Sequence, residues 1–110
     1  MSRKTNFITM IENDLNSSNS IAHAYAIRAC CINGFSTPSI ISALKKLQVS
    51  SEKAMWQNIS KAATAALHLI GAELYNGDDP TILEIIKTKY YSTVQDQTTQ
   101  PNNQPNNQPL

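Results

Sequence analysis

Apolar residues recur three or four positions apart through most of the first ninety residues of the chain. This spacing lines one face of an α-helix, and the first stretch shows it in Phe7, Ile8, Ile11 and Leu15. Turn and capping residues separate the later stretches. The pattern predicts five helices, at about residues 5–15, 20–33, 38–48, 50–75 and 80–90.

Glycine and proline punctuate these helices twice in the same order. Gly34 follows the alanine-rich second helix, where a left-handed residue commonly closes a helix. Pro38 then begins the third helix. Proline lacks a backbone N–H, and it suits this position because an N–H in the first turn has no partner within the helix. Gly71 and Pro80 repeat this order around the fourth and fifth helices.

The composition changes near residue 94 to Gln, Asn, Thr and Pro, and the unit Pro-Asn-Asn-Gln occurs twice in the last ten residues. A segment with so little apolar area cannot offset the entropy lost on ordering, so we predict that it is disordered. The chain is therefore predicted to consist of an all-helical domain, residues 1–93, and a Gln/Asn/Pro-rich tail, residues 94–110.

The two halves of the helical region correspond to each other. In the alanine-rich helices, Ala26, Ala29, Ile32 and Gly34 match Ala63, Ala66, Leu69 and Gly71. In the proline-started helices, Pro38, Ile40, Ile41, Leu44 and Lys45 match Pro80, Ile82, Leu83, Ile86 and Lys87. Internal repetition on this scale is typical of helical-repeat proteins.

The sequence Ala-Leu-His-Leu-Ile-Gly at residues 66–71 resembles the end of the outer helix in HEAT repeats, and residues 29–34 resemble it more loosely. The resemblance covers residues 20–90. It implies a short right-handed stack of about two and a half helical hairpins, with the first helix covering the open N-terminal end. It also implies that a partner protein binds along the inner helices, whose polar candidates are Ser39, Ser42, Lys45, Lys46, Glu84, Lys87 and Lys89.

The formal net charge is +1, from nine basic and eight acidic side chains. A nearly neutral chain lacks the overall field that would attract nucleic acid or an anionic membrane. No run approaches the roughly 20 apolar residues that a membrane-spanning helix needs. We therefore predict a cytoplasmic protein that binds neither nucleic acid nor membranes.

Few residues suggest catalysis or metal binding. His23 and His68 are the only histidines, and the chain has neither His-x-x-x-His nor Cys-x-x-Cys spacing. The adjacent Cys30 and Cys31 would point about 100° apart on a helix, which suits buried thiols better than a disulfide. We predict no catalytic residue, no metal site and no cofactor. A small enzyme that pairs a cysteine with a histidine is a third hypothesis.

Two apolar side chains are candidates for a further binding surface. Trp56 lies near the predicted start of the fourth helix, and an exposed tryptophan is often an interface hot spot. Ile85 falls outside the inward arc predicted for the fifth helix, which consists of Ile82, Leu83, Ile86 and Tyr90. An exposed apolar edge at Ile85 would favour a homodimer through the C-terminal helix.

The sequence thus predicts a non-catalytic protein–protein interaction module, a small helical-repeat scaffold or adaptor that binds another protein along its proline-started helices. The alternative is a compact helical-bundle inhibitor, immunity protein or secretion adaptor that uses one exposed apolar patch. Paired hairpins with a groove would favour the scaffold. A closed bundle with a patch around Trp56 or Ile85 would favour the inhibitor.

Overall fold

The computed structural model describes residues 3–54 and 57–89, which form five α-helices and one short β-hairpin. The helices are α1 (Arg3–Asn16), α2 (Ser20–Asn33), α3 (Pro38–Leu47), α4 (Ile59–Leu69) and α5 (Pro80–Thr88). Strands β1 (Lys53–Ala54) and β2 (Gln57–Asn58) pair antiparallel before α4. The predicted all-helical class is confirmed. The predicted tail, residues 94–110, lies outside the described residues.

Local capping sets both ends of α2, whose bounds are those predicted. The side-chain oxygen of Asn19 accepts hydrogen bonds from the backbone N–H groups of Ile21 and Ala22, at 2.9 and 3.0 Å. At the other end Gly34 adopts a left-handed conformation, with φ of 73°, and donates its N–H to the carbonyl of Cys30. These bonds satisfy backbone groups that the helix itself leaves unpaired.

The two proline-started helices also begin where the sequence predicts. Thr37 caps α3 by accepting the N–H of Ile40, and Asp79 caps α5 by accepting the N–H groups of Thr81 and Ile82. A proline follows each cap at the first helical position. Its fixed φ suits this position, and its missing N–H leaves nothing unpaired.

The predicted fourth helix is wrong at both ends, because α4 is shorter than residues 50–75. Its start is set by Asn58, whose side chain accepts the N–H of Lys61 and caps the helix. The N–H of Ile59, the first residue of α4, donates to the Glu52 carbonyl and closes the β-hairpin. Beyond the end of α4, Gly71 takes a left-handed φ of 77°. The apolar spacing continues past both breaks, so periodicity alone does not reveal them.

A chain of polar contacts orders the connection between α4 and α5. The Tyr75 N–H donates to Nδ1 of His68, and the Tyr75 hydroxyl accepts the N–H of Asp79. Asp79 also lies 3.0 Å from the ammonium of Lys61 on α4. Hydrogen bonding to Lys61 lowers the pKa of Asp79, with its bonds to backbone N–H groups contributing in the same direction. The cap of α5 is thereby tied to the side of α4.

Helix α4 lies at the centre of the domain and packs against α2, α3 and α5. Small side chains let these neighbours approach, since alanine fills four fully buried positions on it. The larger fully buried side chains come from α2, α3 and α4 and are Ile27, Ile40, Leu44, Ile59 and Leu67. One continuous core therefore links the helices around α4.

The helix pairing differs in part from that of stacked hairpins. The predicted hairpin of α4 and α5 packs closely, but α2 packs against α1 and α4 rather than against α3. Among the described residues, neither α2 with α3 nor α3 with α5 is a closely packed pair. The resemblance to HEAT repeats stays a prediction.

The predicted rotation of α5 is wrong in part: Ile82 is buried and Ile86 packs against the core as predicted, Leu83 and Ile85 differ from the prediction, and Tyr90 lies outside the described residues. Ile82 and Ile85 are its buried residues, at 7 and 9 % exposed, whereas Leu83 is 44 % exposed. Among the described residues, helix α5 packs closely on a single element, α4, which covers a narrow stripe of it. Ile85 is therefore part of the core and does not form the exposed edge expected for a homodimer.

Lys89 closes α5 in a left-handed conformation, with φ of 52° and ψ of 40°, which strains any residue with a Cβ atom. We expect Lys89→Gly to raise the free energy of unfolding by about 0.5–1 kcal/mol, because relief of strain outweighs the greater entropy of unfolded glycine. Denaturant unfolding with an unchanged m-value measures the effect. Lys87→Gly, inside the helix, should lower it by about 1 kcal/mol. A loss of stability in both variants would contradict the prediction.

Candidate functional site

Helix α3 carries an open depression of about 640 Å³ on the side that faces away from the core. The described residues that line it are Pro38, Ile41, Ser42, Lys45 and Lys46. Each of them lies three or four positions from at least one other, so they share one side of α3. The buried residues of the same helix are Ile40, Ala43, Leu44 and Leu47. The core thus holds α3 in place while its outer stripe stays accessible.

The depression combines an apolar floor with positive charge. Pro38 and Ile41 supply apolar surface, and the side chains of Lys45 and Lys46 are exposed. Neither ammonium group forms an ion pair or hydrogen bond with a described residue. Their position in the last turn of α3 also suits the helix dipole, which favours cations there. The arrangement is complementary to a ligand with both apolar groups and carboxylates.

The structure brings only part of the predicted site together. Ser42, Lys45 and Lys46 line the depression, and Ser39 is exposed elsewhere on α3. The candidates on α5 are also exposed, and they are Glu84, Lys87 and Lys89. Because α3 and α5 are not a closely packed pair in the described part of the chain, no shared face of the two helices is evident. The site described here therefore belongs to α3.

A second surface, absent from the sequence prediction, lies on α2. Ile21, Tyr25 and Ile32 are 50, 53 and 38 % exposed, and Arg28 lies between them along the helix. These four residues, which we call the α2 stripe, fall within about 60° around the helix axis. The apolar residues of α2 occur on all sides of the helix, so their pattern does not show which side faces solvent. The predicted apolar candidates differ, since Ile85 is buried and Trp56 lies outside the described residues.

His23 is a structural contact and is 4 % exposed. Its Nδ1 lies 2.8 Å from Oε1 of Glu52, and its Nε2 lies 2.6 Å from the carbonyl oxygen of Ser17. The two contacts hold the ring between Glu52 and Ser17. The side chain joins the turn before α2 to the segment before the β-hairpin.

The two cysteines are unsuited to nucleophilic chemistry. Cys30 and Cys31 are free thiols, 0 and 3 % exposed. Burial raises the pKa of Cys30 to about 12. Burial, and then the neighbouring Cys30, raises the pKa of Cys31 further still. Because the thiolate is the reactive form, both side chains act as small apolar groups of the core at neutral pH.

Within residues 3–54 and 57–89, no three His, Cys, Asp or Glu side chains gather in a way that could hold a metal ion. In the same part of the chain, the helices are too short or too polar to cross a bilayer. Comparisons of the chain with protein-family models, with curated proteins and with solved structures found no match.

Proposed function

We propose that this protein is a non-catalytic protein–protein interaction module, whose α3 depression binds an acidic, amphipathic segment of a partner protein. One feature of α3 supports this function above all: two exposed lysines, neither of them paired with a described residue, stand beside the apolar surface of Pro38 and Ile41. A partner that brings carboxylates to Lys45 and Lys46 while covering Ile41 gains both apolar burial and electrostatic complementarity.

Preorganisation of α3 also favours binding. Thr37 caps its start, and the fully buried Ile40 and Leu44 anchor its inner face. A surface whose backbone is already ordered loses little entropy when a partner docks. Because the depression is open to solvent, its charges should govern which segment binds and how fast, more than they govern the final affinity.

The structure offers less support for the alternative, a compact helical-bundle inhibitor, immunity protein or secretion adaptor. Its apolar patch is predicted around Trp56 or Ile85; Ile85 packs into the core, and Trp56 lies outside the described residues. The hypothesis of a small enzyme built on a cysteine loses its nucleophile, because both thiols are enclosed and their pKa values are raised. We therefore retain the interaction module.

Affinity capture from a lysate of the source cells tests the proposal. Wild type is compared with Lys45→Glu/Lys46→Glu and with the matched control Lys53→Glu/Lys87→Glu, which makes the same charge change at exposed lysines elsewhere. An acidic segment of each captured protein is then synthesised, and its dissociation constant for all three chains is measured by titration calorimetry.

We expect the α3 double variant to weaken peptide binding at least ten-fold and the control variant to change it about two-fold or less. Raising the ionic strength should weaken wild-type binding, because exposed charges are screened. Circular dichroism establishes that both variants remain folded. An equal loss of peptide affinity in the two variants, or an affinity unchanged by Lys45→Glu/Lys46→Glu, would contradict a site on α3.

A further inference from the structure

The four residues of the α2 stripe are spaced symmetrically along the helix. They are Ile21, Tyr25, Arg28 and Ile32, separated by four, three and four positions. Reading the stripe in either direction therefore meets the same spacing, with an isoleucine at each end and an aromatic ring next to a cation in the middle. The three apolar members are at least 38 % exposed, which leaves a large apolar surface on one helix face.

Arg28 makes no ion pair or hydrogen bond with any described residue. Arg28 as a whole is half-buried, and it lies between Tyr25 and Ile32 along the same face of the helix. A guanidinium in this setting can stack on an aromatic ring, an interaction that strengthens when both groups leave water. The ring of Tyr25 lies one helical turn away on the same face, and it points to solvent as well.

We propose that the α2 stripe binds a second copy of this chain, with the two α2 helices antiparallel about a two-fold axis between Tyr25 and Arg28. In this pairing Ile21 meets the partner's Ile32, and Tyr25 meets the partner's Arg28. Each contact occurs twice, as an isologous interface requires. Every member of the stripe thereby finds a complementary group.

Charge selects the antiparallel arrangement. In a parallel pairing, Arg28 would face Arg28 of the partner subunit. The two guanidinium groups would then lie close together inside a contact from which water is excluded. Like charges across an interface are costly, whereas the antiparallel pairing separates the two cations and places each over a ring. Four side chains per copy are far fewer than the roughly 20–30 residues on each side of a standard interface, so the dimer should be weak, with a dissociation constant in the upper micromolar range.

The proposal is independent of the α3 depression, which lies on another helix. Sedimentation equilibrium of the full-length chain, from about ten micromolar to one millimolar, should show reversible dimer formation. We expect Tyr25→Ala and Arg28→Glu each to raise the dissociation constant about ten-fold or more, since one substitution alters two contacts per dimer. The matched control is Leu83→Ala, which removes an apolar side chain that is 44 % exposed on α5, and it should leave the constant unchanged.

Cross-linking determines the orientation. The variants Ile21→Cys and Ile32→Cys are prepared separately and treated with a short bismaleimide, alone and as a mixture. The antiparallel pairing predicts a cross-linked dimer mainly in the mixture, and the wild type should give none because its own thiols are buried. A chain that stays monomeric at one millimolar, a dimer insensitive to Tyr25→Ala, or efficient cross-linking of either variant alone would overturn the proposal.

Discussion

Leu44→Asp is expected to unfold the domain. Leu44 is fully buried on the inner face of α3, which packs against α1 and α4. Loss of a buried leucine costs about 2–5 kcal/mol, and enclosing an unpaired carboxylate costs several kcal/mol more. The sum is comparable with the total stability of a domain of this size, about 5–15 kcal/mol.

Circular dichroism and thermal unfolding measure this effect, and Leu74→Asp is the matched control. Leu74 is 67 % exposed in the connection before α5, so the same chemical change there should alter the free energy of unfolding by about 0.5 kcal/mol or less. A cooperative transition in the Leu44→Asp variant near the wild-type temperature would show that α3 is not anchored as described.

Cys30 and Cys31 are expected to react with iodoacetamide only when the protein unfolds. Both lie in the core, and burial raises the pKa of Cys30 to about 12, so the native protein contains almost no accessible thiolate at pH 8. Because a stable domain is unfolded for about a thousandth of the time or less, alkylation should be about 1,000-fold slower than in denaturant. Mass spectrometry of timed samples measures both rates.

The same burial gives a pH dependence with a definite sign. A thiol whose pKa is raised on folding stabilises the native state fully below its unfolded value, here 9.0, and this stabilisation is lost as the pH rises toward the folded value. The free energy of unfolding should therefore fall more steeply above pH 9 in wild type than in a Cys30→Ala variant. Rapid alkylation of either native thiol at pH 8 would contradict this description and revive the hypothesis of a cysteine nucleophile.

Prediction from sequence succeeds here where the decisive interactions are local. The ends of α2 and the starts of α3 and α5 depend on a cap, a proline or a glycine within a few residues, and the structure confirms them. Helix α4 differs, because its start depends on a hairpin closed between Glu52 and Ile59. The apolar spacing runs through that hairpin, and a periodic pattern cannot show that the backbone has left the helix.

The candidate site was predicted in part for a similar reason. Lys45 and Lys46 were selected as polar residues of a proline-started helix, and they do border a depression. A single site that also includes Lys87 and Lys89 requires α3 and α5 to be neighbours. Whether they are neighbours depends on how both helices pack against α4. The α2 stripe was not predicted, because alanines and larger apolar residues alternate along α2 and occur on all of its sides, so no single face stands out.

The sequence by itself determined the helical class, the caps of α2, α3 and α5, and the absence of spacing for a familiar metal or catalytic motif, because these follow from neighbouring residues. Only the tertiary structure decided that Ile85 faces inward and that Ile21, Tyr25 and Ile32 face outward. Burial of an apolar side chain gains free energy from whichever surface covers it, and that surface comes from helices distant in the chain. Outward-facing residues are therefore known only once every neighbour of the helix has been placed.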